Sequence, residues 1–461
     1  MLQSIYRRLI IPTFESKVKR RRTFRYLNEL ERSQWELTAT LRGRQVTALR
    51  QLLSHAVANA PYYRALQQEQ SLPADEIEDA DQLQRWPLLW RETIAQHQIE
   101  LCAANCAGKL IAKSTGGSSG SPLQFYLDDD SNDRRMAAWH RGYSWAGAGL
   151  GTKQLYLWGV PLVPQTWRQR QKDQLYNRWL YRREMVNTFK LCDETVPQFE
   201  SLLRRWRPDS IVAYTNSIFW MARAFEERGV RPTPPGSIVV GAEKLHDFQR
   251  ATIERVFQAP VFETYGSREF MLIGGECDRH CGLHLTMENL IVEIVNDDGD
   301  PTPPGEEGNV VITDLFNYGM PFIRYVTGDR AIAGFQRCEC GRGLPLLRQV
   351  VGRRLDVVVT AAGVRLPGEF FPHLIKDFPA VRQFQVVQSE DGAIDVKLVV
   401  GQRWSESARD ELELRIRRAV GDATTLRVLS VDSIPLTRAG KLQVVVSRFV
   451  DATTMSAESP R

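Results

Sequence analysis

Apolar residues recur at helical spacing near the start of the chain. Val46, Leu49, Leu53, Ala56 and Val57 share one face, and Pro61 stops the pattern. Residues 1–105 are therefore expected to be mostly helical. The character changes over 106–127, where Gly, Ser and Thr cluster ahead of an apolar stretch from Leu123 to Leu127. From 130 to 350, short β-rich runs alternate with helical ones. IVAY (211–214), SIVV (237–240), PVFETY (260–265), IVEIV (291–295) and NVVIT (309–313) read as strands. Ser217 to Arg228 and Phe248 to Phe257 read as helices, and Asn296 to Gly308 as a turn-rich hairpin connection. Past Gly352 a smaller α+β unit follows. VRQFQVVQ, AIDVKLVV and TLRVLSV are its strands, and 405–420 is a helix with Leu412, Leu414, Ile416 and Val420 as apolar members. The fold class is mixed α/β in layered sheets and helices. The expected division is a helical part over 1–105, a core over 106–352 and a small C-terminal α+β unit over 353–461. No internal repeat is present, and the last ten residues should fray.

Composition agrees with a folded chain of several domains. Of 461 residues, 43% are hydrophobic and 25% charged, which excludes a wholly disordered or collagen-like polymer. The net charge of +5, spread over this length, gives no reason to expect a nucleic-acid partner. The run Lys17, Lys19, Arg20, Arg21, Arg22 is expected to be a solvated helix end, with weak contact to an anionic membrane or polymer as the alternative. The seven cysteines are odd in number, sparse and clustered, unlike a disulfide framework. No apolar run is long enough for a membrane span or a secretory signal, so a reducing, cytoplasmic setting is expected.

Two constellations carry candidate chemistry. Ser114-Thr115-Gly116-Gly117-Ser118-Ser119-Gly120-Ser121-Pro122 combines glycines, which let backbone N–H groups converge on an anion, with hydroxyl donors. It lacks the Gly-Lys-Ser/Thr of a Walker loop, and the alternative is a flexible linker. The second is Cys277 and His284 in ECDRHCGLH with Cys338 and Cys340 in RCECGRG. Three thiolates and an imidazole would close a tetrahedral, structural Zn2+ site, provided the hairpin between 291 and 313 brings the segments together. His280 and Cys281 are competing ligands. Cys102 and Cys106, at helical spacing, read as small buried residues.

Read together, the motifs resemble the adenylate-forming enzymes, in particular the phenylacetate–CoA ligase family with its capsule-biosynthesis branch. The glycine-serine loop resembles the family's phosphate-binding loop. HAVANAPYYR (55–64) resembles its N-terminal helix ending in a Pro-Tyr-Tyr-Arg turn. TYGSREF (264–270), MPFIRYVTGD (320–329), VGRRLDVVVTAAGVRLPGEF (351–370) and PLTRAGKLQ (435–443) follow in the family's order. The resemblance implies a large adenylate-forming domain with a mobile C-terminal lid. It also implies ATP, Mg2+ and coenzyme A as cofactors, and a small carboxylic acid, aryl or arylacetic, as substrate. Lys441 would screen the two anions that react, and Glu269 would hold magnesium. Ser114 to Gly120 would meet the phosphates, and Tyr265 and Gly266 would lie beside the adenine and acyl group. Asp329 would accept from the ribose hydroxyls, and Arg353 would donate to ribose or phosphate. Trp139, Tyr143, Tyr214, Gly241 and Ala242 would shape the acyl pocket, near His140, Trp145, Ser217 and Glu243. The same four residues, Cys277, His284, Cys338 and Cys340, would hold the zinc. The chain departs from the family at Ser121, where a lysine is usual, and at Leu355 in the hinge. A non-CoA acceptor in polysaccharide biosynthesis, or a degenerate binding role, remains as the alternative. The sequence leaves the oligomeric state open.

Overall fold

The computed structural model describes residues 2–449 except 73, 75–76, 116–122, 160–165, 189–190, 335–336, 354–356, 368–369, 376, 379 and 438–441. Lys441, Gly116 to Gly120, Ser121 and Leu355 therefore lie outside the described residues.

The helix Thr38–Asn59 buries Leu41, Leu49, Leu52, Leu53 and Ala56 along one stripe. Pro61 ends that pattern and at once begins another. Ala60 is extended, as the residue before proline prefers, and Pro61 is the first residue of the helix Pro61–Gln70. The Pro-Tyr-Tyr-Arg segment, expected as a turn at a helix end, is thus a helix start. Tyr63 in its first turn is buried and its hydroxyl donates to the Pro321 carbonyl at 2.8 Å.

An eleven-stranded sheet forms the centre. One half is parallel, in the order Arg183–Asn187, Gln154–Trp158, Ser210–Tyr214, Ser237–Gly241, Val261–Ser267. Every residue of Ser210–Tyr214 and Ser237–Gly241 is buried, which is why these strands read as unbroken apolar runs rather than alternating ones. The helices Thr195–Trp206, Thr215–Glu227 and Asp247–Phe257 cover them, with Phe199, Ile218, Phe225, Ile253 and Phe257 in one core. The other half is antiparallel and carries the core of Phe270, Phe322, Ile323 and Tyr325, onto which the N-terminal helices pack. The hairpin Leu290–Val295 with Glu307–Asp314 sits at the far edge of this half. It does not join the two cysteine segments. Leu346 and Leu347 do so by pairing with His284 and Leu283.

The C-terminal unit has its own four-stranded sheet, holding Val381–Gln388, Ile394–Val400, Leu426–Ser430 and Val445–Ser447. The helix Glu406–Val420 lays Leu412, Ile416 and Val420 on it. Leu414 does not join them and is 51% exposed. Two residues from both Leu412 and Ile416, it falls on the opposite side of a 3.6-residue turn.

Candidate active site and metal centre

The parallel strands end on one edge of the sheet, where α/β folds place their ligands. Gly241 closes the strand Ser237–Gly241, and a Cβ there would stand 2.5 Å from the Thr264 hydroxyl. Ala242 follows at φ +68°, a left-handed conformation that L residues adopt at a cost and that marks functional turns. The turn aims Glu243 at two backbone donors. Its Oε2 accepts from the Asn216 N–H at 2.8 Å, at the start of the helix Thr215–Glu227. Its Oε1 accepts from the Leu442 N–H, also at 2.8 Å. The C-terminal unit thus meets the strand edge at Leu442, the residue that follows Lys441 in the sequence. The next residue, Lys244, donates to the Val351 carbonyl at 3.1 Å, and burial draws its ammonium down to about 8 against the pull of Glu263, Glu307 and Asp247.

The segments around 265–269 and 325–329, far apart in sequence, are joined here by two tyrosine–carboxylate bonds. The Tyr265 hydroxyl donates to Asp329 Oδ2 at 2.9 Å, and Tyr325 donates to Glu269 Oε1 at 3.3 Å. Asp329 faces Arg353 in strand register, although the Arg353 side chain lies outside the described residues. Glu269 is buried as a single carboxylate on a tyrosine hydroxyl. Gly266 has a structural reason for being glycine, since a Cβ would stand 1.9 Å from the Met271 carbonyl oxygen across the pair. The glycine-serine loop springs from the antiparallel pair Ile111–Ser114 and Gln124–Leu127. Thr115 closes its base: its N–H donates to the Leu123 carbonyl, and its hydroxyl accepts from the Leu123 N–H, both at 2.9 Å, and from Arg91 at 3.3 Å.

The aromatic residues expected around the acyl group form two packed pairs. Trp139 and Tyr143 lie 5.0 Å apart on the helix Asp129–Trp145, and the Tyr214 ring lies tilted against Trp158 at 4.1 Å. Burial, then Arg183, takes His140 down to about 3, so its imidazole is neutral. Burial and Glu243 lift Tyr214 to about 12. Sequence reading placed Glu243 near the acyl group but missed its grip on Leu442. Ala242 hides the positive φ that a glycine would have advertised.

One buried carboxylate near this edge is set against its neighbours. Glu276 is held by Arg250 at 2.8 and 2.9 Å and accepts from the Glu263 N–H at 2.7 Å. Burial, reinforced by the Glu276 charge, raises Glu263 to about 7. A raised carboxyl contributes stability below its unfolded value and loses it as pH rises through the folded one. Glu263→Gln should therefore flatten the stability profile between about pH 5 and pH 8, with a gain over the parent of roughly 1–2 kcal/mol at the alkaline end. Urea unfolding at a series of pH values measures this.

Cys277, His284, Cys338 and Cys340 converge, with their ligand atoms all within 4.8 Å of one another. Cys277 Sγ is 3.6 Å from Cys338 Sγ, and Cys340 Sγ is 3.3 Å from His284 Nε2. An edge of about 3.8 Å is what Zn–S bonds of about 2.3 Å impose on a tetrahedron. Burial, then the Arg342 and Arg141 charges, draws His284 down to about 4, which leaves a neutral ligand imidazole. Burial also pushes Cys338 up to about 12 and raises Cys277, a cost that a bound dication removes. Burial opposes ionisation of Cys340 too, but the Arg342 N–H and guanidinium hold it below the ordinary thiol value. The donor set fits zinc. His280 and Cys281 are excluded: His280 turns to Glu276 at 3.3 Å and Cys281 is exposed on the Arg279 carbonyl. Cys102 and Cys106 are half-buried, and Cys106 closes a short 3-10 turn rather than a helix.

Known proteins share this organisation. Residues 358–448 match the family model described as the CapK C-terminal domain. The phenylacetate–coenzyme A ligase of Thermus thermophilus is 27% identical over 53% of this chain, a match that spans 61% of that protein, under two thirds of its length. Protein CapK of Staphylococcus aureus is 22% identical over 85% of this chain and 86% of its own. A crystal structure of 2-hydroxyisobutyryl-CoA ligase in its postadenylation state, bound to R3-HIB-AMP, superimposes with a TM-score of 0.71 at 16% identity, covering 93% of each chain. The chain is accordingly a homologue of the phenylacetate–coenzyme A ligases and of CapK, with the fold of the adenylate-forming ligases and a CapK C-terminal domain.

Proposed function

We propose that the chain activates a small carboxylic acid with ATP and passes the acyl group to coenzyme A, releasing pyrophosphate and then AMP. The observation that carries the reading is the Glu243 contact with Leu442, which ties the C-terminal unit to the strand edge near the Tyr265–Asp329 and Tyr325–Glu269 bonds. In this reading Asp329 takes the ribose hydroxyls, Glu269 meets Mg2+ and Lys441 screens the carboxylate and α-phosphate as they approach. The glycine-serine loop, Ser114 to Gly120, meets the β- and γ-phosphates. Arg353 adds a donor. Trp139, Tyr143, Tyr214, Gly241 and Ala242 bound an acid with an aromatic group. Zn2+ on the three cysteines and His284 clamps the sheet beside the site and leaves no open position for chemistry. The expected setting is cytoplasmic.

The CapK match over the C-terminal unit favours a second reading, in which the acyl or adenylyl group passes to a non-thiol acceptor in polysaccharide synthesis. A pyrophosphate-release screen over aryl, fatty and amino acids, run with and without CoA, decides between them. An aryl acid that gives sustained turnover only with CoA supports the first reading. AMP formed at the same rate without any thiol supports the second. No acid-dependent pyrophosphate from any class removes both.

A further inference from the structure

Exposed apolar side chains and basic charge coincide on two adjoining helices. Residues 2–18 form one helix, its turns alternating between α and wider π geometry. Its inner side buries Ile11 and Glu15. It adjoins a second helical segment, Trp167–Leu175 continued by Tyr176–Leu180. Phe14 meets Tyr176 edge-on at 5.5 Å, Glu15 accepts from the Tyr181 hydroxyl, and Arg182 lies over the Tyr6 ring at 5.3 Å. What these helices turn outward is unusual. Trp167 is 65% exposed and Trp179 67%, with Leu175, Leu9 and Val18 similarly bare. Trp167, Leu175 and Trp179 are eight and four residues apart, which sets them along one side of a helix.

Charge singles out the same surface. Residues 1–22 hold seven basic and one acidic side chain, and 166–180 hold four and one. These two segments carry nine net positive charges where the whole chain carries five, although Arg7, Arg21, Arg22 and Arg178 are paired with Glu31, Asp133, Asp130 and Glu184 from outside them. Arg8, Lys17, Arg20, Arg168 and Lys172 are all exposed. Tryptophan and leucine beside lysine and arginine is the composition of a helix that lies in a membrane interface. A second copy is a poor occupant, because face-to-face packing would set the exposed Arg8, Lys17, Arg20, Arg168 and Lys172 of one copy against those of the other. No helix among the described residues is long and apolar enough to cross a bilayer, so the contact would be peripheral.

We propose that this surface docks on an anionic lipid bilayer. The tryptophans and leucines enter the headgroup boundary, and the basic side chains bind acidic headgroups. The surface uses none of the residues assigned to ligation, so the proposal stands or falls separately from that reading. The test is flotation of the full chain with phosphatidylcholine vesicles, either neutral or containing about 30% phosphatidylglycerol. Binding is expected only to the anionic vesicles and should weaken as salt is added. W167S/W179S should lower the bound fraction about tenfold, and K17E/R20E/K172E at least as much. Brominated acyl chains should quench a part of the tryptophan emission that W167S/W179S removes, a readout independent of the flotation yield. Equal binding to neutral vesicles, or no change in either variant, overturns the proposal. So does a concentration-dependent dimer lost in W167S/W179S, which would make the occupant a second copy. RNA or heparin binding that ignores the tryptophans, without lipid binding, overturns it as well.

Discussion

Cys338→Ser is expected to cut bound zinc from about one equivalent to well under half and to lower the unfolding midpoint by about 10 °C. The size of the effect follows from how little else holds the two segments together. Cys277 and His284 lie on one side of the junction, Cys338 and Cys340 on the other, and the strand pairing between them is two residues long, Leu346 with His284 and Leu347 with Leu283. Without a cation, burial would hold the Cys277 and Cys338 thiols protonated and the His284 imidazole unable to ionise, while Cys340, half-buried beside Arg342, is the one thiol held below its ordinary value. A bound zinc would turn that arrangement into four bonds. A chelator should reproduce the destabilisation in the parent, and zinc should restore it. Cys281→Ser is the control: the thiol is exposed and outside the cluster, so metal content and midpoint should stay where they were. Metal-free parent protein with an unchanged midpoint would show four reduced residues that merely pack together.

Parts of this molecule are legible without coordinates for a physical reason. Ser210–Tyr214 and Ser237–Gly241 are buried on both faces, so their apolar runs had no alternative in a folded chain. The four zinc-type residues were legible from chemistry, since Cys-x-Cys-Gly with a remote Cys/His pair has few other uses. The contact that unites them was not: pairing of Leu283 and His284 with Leu346 and Leu347 is a long-range choice that local pattern does not encode. Leu414 was misplaced because an apolar residue two positions from its neighbours satisfies composition but not the helical period. Pro61 was correctly a breaker, yet proline also starts helices, and the pattern after it decided which. Glu243 was expected near the acyl group, and its second role could not be read. Its carboxylate acts on two backbone N–H groups from distant parts of the chain, and backbone donors leave no mark in a sequence.

Lys441→Ala should lower acid-dependent pyrophosphate exchange by about 10²–10³-fold, the scale seen when a charge-stabilising group is removed from a transition state. Glu243→Ala should lower it too, by about 10–100-fold, through a different route. The Asn216 and Leu442 N–H groups each lose a charged acceptor at 2.8 Å, and a lost bond of this kind is worth about 1–3 kcal/mol. In the proposed reading Glu243 would act as a positioning residue, through the Asn216 and Leu442 backbone. The two half-reactions separate that role from a structural one. When a synthetic acyl-adenylate is supplied with CoA, adenylation is bypassed, and both variants should make thioester within about threefold of the parent. Glu243→Asp keeps the charge on a shorter arm and should recover part of the exchange rate. If Glu243→Ala slows both half-reactions equally and also lowers the unfolding midpoint, the carboxylate serves the fold alone. If Lys441→Ala leaves exchange intact, the ammonium does not bring the two anions together, and the case for a ligase loses its chemistry.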